Sequence, residues 1–210
     1  GFGGYSLYND EEVYLAMNAA PLINDAGIAQ FNISQLRKKL QGKQLSISPY
    51  VSDITQGFTG SCSPKDLETT LQLINLYYEA PRKDQESFDK NIEQTRSQLQ
   101  FIKENPQVVL LERYVKASHP NNKRMVYIPT EEHINKLKLD RVYEIFTERF
   151  ADASNQTFFF VGNVSDSDIQ LIAKYLNNLP TNGKQKNEEW VKHEDAFCTG
   201  TPRETVYKGT

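Results

Sequence analysis

Most of this chain is written at helical spacing, and very little of it at strand spacing. Leu67, Leu71, Ile74 and Tyr78 share one helical face, and so do Phe88, Ile92, Thr95, Leu99 and Ile102. Val108, Leu111 and Val115 make a third stripe; Val142, Ile145 and Phe146 a fourth; Ile169, Ile172, Leu176 and Leu179 a fifth. Only three short runs read as strands. Gln44 to Val51 partly alternates polar and apolar, with Pro49 favouring an edge. Gly57 to Cys62 lies close enough to pair with it as a hairpin. Thr157 to Val161 is apolar on both faces, the mark of a central strand. Strand and helix do not alternate strictly, so the pattern predicts an α+β fold: a mixed or antiparallel sheet with helices packed on one face. Strands are expected near 44–52, 55–62 and 157–162 in one sheet. The helices over 64–79 and 84–104 are expected to cover it, with Leu71, Leu99 and Phe159 buried.

Capping residues punctuate the helices. Asn9 with Glu12 forms a capping-box pattern for a helix over 10–25, which Gly27 closes and Pro21 interrupts. A second helix is expected from Ser34 to Gln41, ended by Gly42. Ser63-Pro64, Asp84, Asn105-Pro106, Thr130, Asp140 and Ser165 mark further starts. A polar loop, His119 to Arg124, follows the third of the long helices. After Pro180 no helical stripe survives. The chain is therefore divided into a domain over 1–180, its packed unit starting near residue 9, and a polar linker over 181–210.

Charge and composition exclude some roles. With a formal net charge of −3, the chain lacks the basic balance of a nucleic-acid reader. No stretch approaches the ~20 apolar residues of a membrane span. Two cysteines, Cys62 and Cys198, do not make a disulfide framework. Gly1-Phe2-Gly3-Gly4 has neither an initiator Met nor the basic start and apolar run of a signal peptide, and it reads as the opening of an excised piece.

Residues able to do chemistry are few and scattered. The histidines are His119, His133 and His193. A zincin pairs two His four apart on a helix; four residues before His133 stands Pro129. Asp10-Glu11-Glu12 and Glu131-Glu132 fall where first helical turns are expected, and there they offset the helix dipole. Ser61 and Cys62 end a strand-like run with no His nearby in sequence. Tyr77-Tyr78 and Phe158 to Phe160 suit core packing.

Several segments in order resemble the pitrilysin/insulinase family of zinc peptidases, most closely the long bacterial members with two halves in one chain. They are Gly27-Ile28-Ala29-Gln30-Phe31, Gln35-Leu36, Leu40 to Lys43, Ser63 to Glu68, and Tyr77 to Arg82. Asn105-Pro106, His119-Pro120, Arg149 to Ala153, and Phe159 to Asn163 continue the series. Together they cover about three quarters of the chain. The resemblance implies a His-x-x-Glu-His motif on the first helix and a third Glu on a later one, before an Asn-Pro break. The first helix here reads Val13-Tyr14-Leu15-Ala16-Met17-Asn18-Ala19-Ala20 and carries no such motif. On the later helix the expected Glu position falls near Ser97 or Gln98, and Glu93 is about one turn too early.

The resemblance therefore implies an inactive peptidase-like domain from the second half of a zinc protease. No catalytic, cofactor-binding or metal residue is expected in this chain. Its expected partners are the other domains of the parent protease and the peptide that the parent encloses between two bowl-like halves. A periplasmic compartment is favoured, because large bacterial relatives are often exported. The alternative is a stand-alone scaffold subunit related to the family's non-catalytic core subunits. An upstream His-x-x-Glu-His in the parent gene separates the two. The family's domains usually begin with two strands before a segment like Gly3-Gly4-Tyr5-Ser6. An uncovered sheet edge is thus expected, closed by the tail, through Thr205-Val206-Tyr207, or by a second copy in a homodimer.

Overall fold

The computed structural model describes residues 1–120, 122–181, 189–194, 198–203, 205 and 207. After a 3-10 turn at Gly4–Leu7 come α1 (Val13–Ala26), α2 (Ile33–Lys39), β1 (Leu45–Val51) and β2 (Gln56–Cys62). A 3-10 turn at Pro64–Asp66 leads into α3 (Leu67–Glu79), α4 (Gln85–Glu104) and α5 (Pro106–Ser118). Then follow α6 (Glu131–Lys136), α7 (Leu139–Phe150) and α8 (Asp166–Leu176).

The fold is α+β, as expected, with one two-stranded antiparallel sheet among the described residues. Its register pairs Leu45 with Cys62 and Val51 with Gln56. Gln44 O accepts from Ser63 N at 2.8 Å at one end, and Thr55 O from Ser52 N at 2.8 Å at the other. Antiparallel pairs alternate between bonded and non-bonded positions, so the bonded pairs are 46/61, 48/59 and 50/57. Pro49 therefore stands at a non-bonded position, where its missing N–H costs the ladder nothing.

Helix α1 runs at the centre. Val13, Ala16, Ala19, Ala20 and Ile23 are fully buried in it. It packs on α7 and β1, while α3 sits between the hairpin and α8. Phe146 and Phe150 of α7 stack at 4.6 Å between ring centres. Phe58 of β2 touches Tyr77, Tyr78 and Phe150 at 5.0–5.6 Å. A smaller cluster, Leu99, Ile128 and Ile134, joins α4 and α6. The stripes on α3, α4 and α7 contribute to this core, and Leu71 and Leu99 are buried, whereas α5 and α8 bury no residue fully and Leu111 and Ile169 are exposed.

Several caps lie where the sequence puts them. Asp84 accepts from Ser87 N, Asn105 from Gln107 N and Val108 N, Thr130 from His133 N and Ser165 from Asp168 N. The second helix starts one residue early, at Ile33, because Asn32 and Gln35 complete a capping box ahead of it.

Other expectations need correction. Thr157 to Val161 pairs with no strand among the described residues; Phe159 is 85% exposed and Val161 98% exposed. A β-prone run becomes a strand only when another edge lies within hydrogen-bonding distance, and none does among the described residues. Helix α4 packs on α1, α5 and α6 rather than on the hairpin. Asp10-Glu11-Glu12 precede α1 instead of forming its first turn. Asn9 Oδ1 accepts from the N–H groups of Glu11 and Glu12 in a turn outside the helix. Those acids meet cations: Asp10 meets Arg124 at 3.3 Å, Glu11 Lys136 at 2.5 Å and Glu12 Arg141 at 2.7 Å. Asp140 lies within the first turn of α7, whose N-cap is Lys138. Pro21 does not end α1, which continues to Ala26. Of the expected tail strand, Val206 lies outside the described residues, and Thr205 and Tyr207 are not in a strand.

Candidate functional site

Two places hold the residues singled out from sequence. The first is the α1–α4 face, where the resemblance puts metal ligands. Helix α1 presents alanines and aliphatic side chains there, because that face is its route into the core. On α4, Ser97 and Gln98 are exposed. The Ser97 hydroxyl donates to Glu93 O at 3.0 Å, a bond within its own helix. His133 is the histidine nearest to α1. Its Nδ1 accepts from Thr130 N at 3.0 Å, which leaves the ring proton on Nε2. The ring lies 5.0 Å from Tyr14, and burial lowers its pKa. It is a capping residue packed on an aromatic ring. A cleft of about 360 Å³ beside it is lined by Glu112, Lys116, Met125 and Tyr127 among others. Among the described residues no group of three His, Cys, Asp or Glu side chains is placed to hold a metal.

The remaining histidines belong to different parts of the chain. His119 closes α5. His193 donates from Nε2 to Ser6 O at 2.6 Å, and Val191 N donates to Ser6 Oγ at 3.0 Å. Residues 189–194 of the tail thus dock on the Gly3-Gly4-Tyr5-Ser6 turn and not on the sheet. Cys198 N donates to Ser118 O, at the end of α5. The cysteines Cys62 and Cys198 are both free.

The second place is a larger cleft of about 650 Å³ between β2 and the run at 155–164, which is in no helix or strand. Its floor is Leu67, Thr70 and Ile74 of α3 with Ile172 of α8. Its walls include Phe58, Gly60, Ser61 and Cys62 on one side and Phe158 to Val161 on the other. No histidine, lysine or glutamate lines it among the described residues, and its one carboxylate, Asp168, accepts from the N–H and hydroxyl of Ser165 at 2.9 and 2.6 Å as part of a helix cap. Ser61 Oγ lies 3.2 Å from Ser46 Oγ across the hairpin. What the cleft offers is backbone: one free strand edge, exposed aromatics and an apolar floor. Sequence reading found β2 but took Thr157 to Val161 for a strand of the same sheet, and so missed the gap between the two runs. The glycines Gly57 and Gly60, which thin that wall, were the only local signal.

The motifs that carry the resemblance also meet in space. Ile28 bridges Phe31 and Pro81, and Ala29 N donates to Ala80 O at 2.9 Å. Arg82 donates from Nε and one terminal nitrogen to Asp84 and from the other terminal nitrogen to Ala29 O. Gly27 allows this junction. Its φ is +96°, and a Cβ there would stand 2.2 Å from Phe31 O.

An α+β unit with this helix order resembles a stretch of the pitrilysin-like zinc proteases. In sequence the chain is 23% identical over 180 residues to the probable zinc protease PqqL of Haemophilus influenzae, covering 84% of this chain and 19% of that protein. In fold it matches the periplasmic protease PqqL from Escherichia coli with a TM-score of 0.70 at 17% identity, over 90% of this chain and 21% of that one. A protease from Helicobacter pylori matches with a TM-score of 0.69 at 13% identity, over 93% and 46% respectively. The ferredoxin protease FusC, solved as a mutant in complex with Arabidopsis ferredoxin, matches at 0.62 and 15%, over 84% and 20%. No family model matches the chain. The chain spans about a fifth of the length of the PqqL relatives. Among the described residues no helix is long and apolar enough to cross a membrane.

Proposed function

We propose that this chain is a catalytically silent domain of a pitrilysin-like zinc protease, forming part of the non-catalytic wall around a peptide substrate. The observation that carries the reading is helix α1. Zinc catalysis needs three protein ligands and an open coordination position. Val13–Ala26 holds no His, Glu or Cys, and its only carboxylate is Asp25, at the far end. The positions on α4 where a third ligand would fall are Ser97 and Gln98, neither a zinc ligand type. The domain's partners are then the other domains of the parent and the peptide it encloses. A periplasmic setting follows from the likeness to the E. coli protease. The test is elemental analysis of the purified chain after dialysis, with a peptide-cleavage assay beside it. No stoichiometric zinc and no cleavage are expected; about one tightly held zinc per chain overturns the reading.

A further inference from the structure

The N-terminal cap of α6 depends on a titratable ring. In a capping box the third helical side chain accepts from the N-cap backbone N–H, a place that Glu or Gln ordinarily takes. Here His133 takes it. Its Nδ1 accepts from Thr130 N at 3.0 Å, while Thr130 Oγ1 accepts from His133 N at 3.3 Å. A glutamine in that place is an acceptor at every pH. An imidazole is one only while neutral, because both ring nitrogens of the imidazolium are donors. Thr130 Oγ1, 3.0 Å from Nδ1, can accept from the new N–H, but Thr130 N–H is then left facing a donor.

The ring's surroundings hold no spare carboxylate to favour the charged form. On α6 itself, Glu132 lies 3.1 Å from Lys136, which also meets Glu11, from the turn ahead of α1, at 2.5 Å. Lys123 of the polar loop faces Glu11 as well. From α4, Arg96 holds Glu131 at 3.3 Å; from α5, Lys116 holds Glu112 at 2.6 Å; and Arg124 holds Asp10 at 3.3 Å. Each of these acids already has a cation. Helix α1 contributes the Tyr14 ring, 5.0 Å from the imidazole. A cation–π contact there and the charge of Glu132 favour protonation. Burial, the largest influence, opposes it together with Lys136, and the ring's pKa is lowered. The 360 Å³ cleft beside the ring gives it access to solvent protons.

We propose that His133 is a proton-operated clasp: when its ring takes up a proton, the capping box opens and the segment from Tyr127 to Ile134 loosens from α1 and α4. That segment has little else to hold it. Ile128 and Ile134 belong to the small cluster with Leu99, whereas Leu137 and Leu139, just beyond, are anchored in the main core. The change is therefore local. Tyr127, Ile128 and Thr130 line the 360 Å³ cleft, so the proton widens it. A histidine depressed in the folded state adds stability that is present above its unfolded value, ~6.5, and is lost as pH falls through the folded one. The clasp thus holds at neutral pH and releases in acid. This inference is independent of whether the domain is catalytically silent.

Nuclear magnetic resonance on the full chain tests it, titrated from about pH 7.5 to about pH 5, across the ordinary histidine value of ~6.5. At the upper end the ring nitrogen shifts should report the Nε2–H tautomer of His133. Exchange protection of the Thr130, His133 and Ile134 amides, corrected for the intrinsic effect of pH, should fall by about 5-fold, the weight of one helix cap, with the midpoint of the ring itself. His133→Gln keeps an acceptor in the box and removes the titration, so its protection should stay at the neutral wild-type level throughout. His133→Ala should be poorly protected at every pH. An Nδ1–H tautomer, constant protection in the wild type, or the same fall in His133→Gln overturns the proposal, and so does full protection in His133→Ala.

Discussion

The α1–α7 side of the molecule and the β2 cleft side solve the same problem differently. On the first, the buried faces of α1 and α7 pack on each other, and several surface charges are paired. Arg141 joins Glu12, Glu144 and Glu148 at 2.7–3.1 Å, and Tyr8 donates to Glu148 at 2.8 Å. On the second, the apolar run Phe158 to Val161 stands open, with exposed Phe159 lining the cleft beside the β2 edge, which is unpaired beyond Gln56 among the described residues. The difference teaches that hydrophobicity buries a residue only where a complementary surface exists. Helices meet their complement within the chain; a strand edge has to find another edge.

Truncation gives the largest contrast. Phe150→Ala removes a ring in contact with Phe58, Tyr78 and Phe146, and it is expected to cost ~3–5 kcal/mol in a urea titration. Phe159→Ala is expected to stay within ~0.5 kcal/mol, as exposed positions do. Equal losses would break the comparison. A backbone test comes next. Gly4 has φ +54°, and a Cβ there would stand 2.2 Å from Ser52 O. Gly4→Ala should cost at least ~1–2 kcal/mol, the strain of a left-handed non-glycine residue, and loosen the Phe2–Thr55 bridge as seen in amide exchange.

Neighbouring tyrosines sharpen the picture on a finer scale. Tyr77 donates to Asn24 Oδ1 at 2.6 Å, and burial pushes its pKa up to about 12. The Tyr78 hydroxyl is buried with no hydrogen-bond partner among the described residues. Tyr77→Phe should cost ~1 kcal/mol, whereas Tyr78→Phe should be neutral or stabilising, since it removes an unsatisfied group. Chemical denaturation of both variants decides this, and a larger loss at Tyr78 would contradict it.

The smallest effect is a pH dependence at the foot of the hairpin. The Ser63 hydroxyl, followed by Gln44 N–H, donates to the Asp66 carboxylate at 2.6 and 2.9 Å, with Lys43 nearby, and its pKa is lowered. A carboxyl depressed in the folded state adds stability that is present above its unfolded value, ~3.9, and is lost as pH falls through the folded one. The wild-type chain should therefore lose part of its stability in that acid window, and Asp66→Asn should flatten the slope there. An unchanged slope would show that Asp66 is not the group responsible.

Much of the fold was legible because helices are local. Asp84, Asn105, Thr130 and Ser165 cap through bonds to residues two or three positions on, so a few adjacent letters suffice. The hairpin was legible for the same reason: its turn is two residues, Asp53 and Ile54, long. Where distant groups compete, local reading slipped. Glu12 looked like half of a capping box with Asn9, yet Arg141 takes its carboxylate from 129 positions away. His133 was read as a lone histidine, and its ring completes a capping box that no carboxylate supplies. The candidate site was legible only in part: the ligand-free helix is plain in the letters, while the cleft is not.

By itself, the sequence determined the α+β class, most apolar faces of the helices and the absence of His, Glu and Cys from Val13–Ala26, since each depends on residue identity at short spacing. Tertiary structure alone decided that Thr157 to Val161 stays unpaired, that residues 189–194 dock on Ser6, and that Gly1 pairs with Gln56 at the mouth of the cleft. The physical reason is that strand pairing and docking need main-chain groups from remote segments to come within hydrogen-bonding distance. That is a property of the assembled fold and not of any window of the chain.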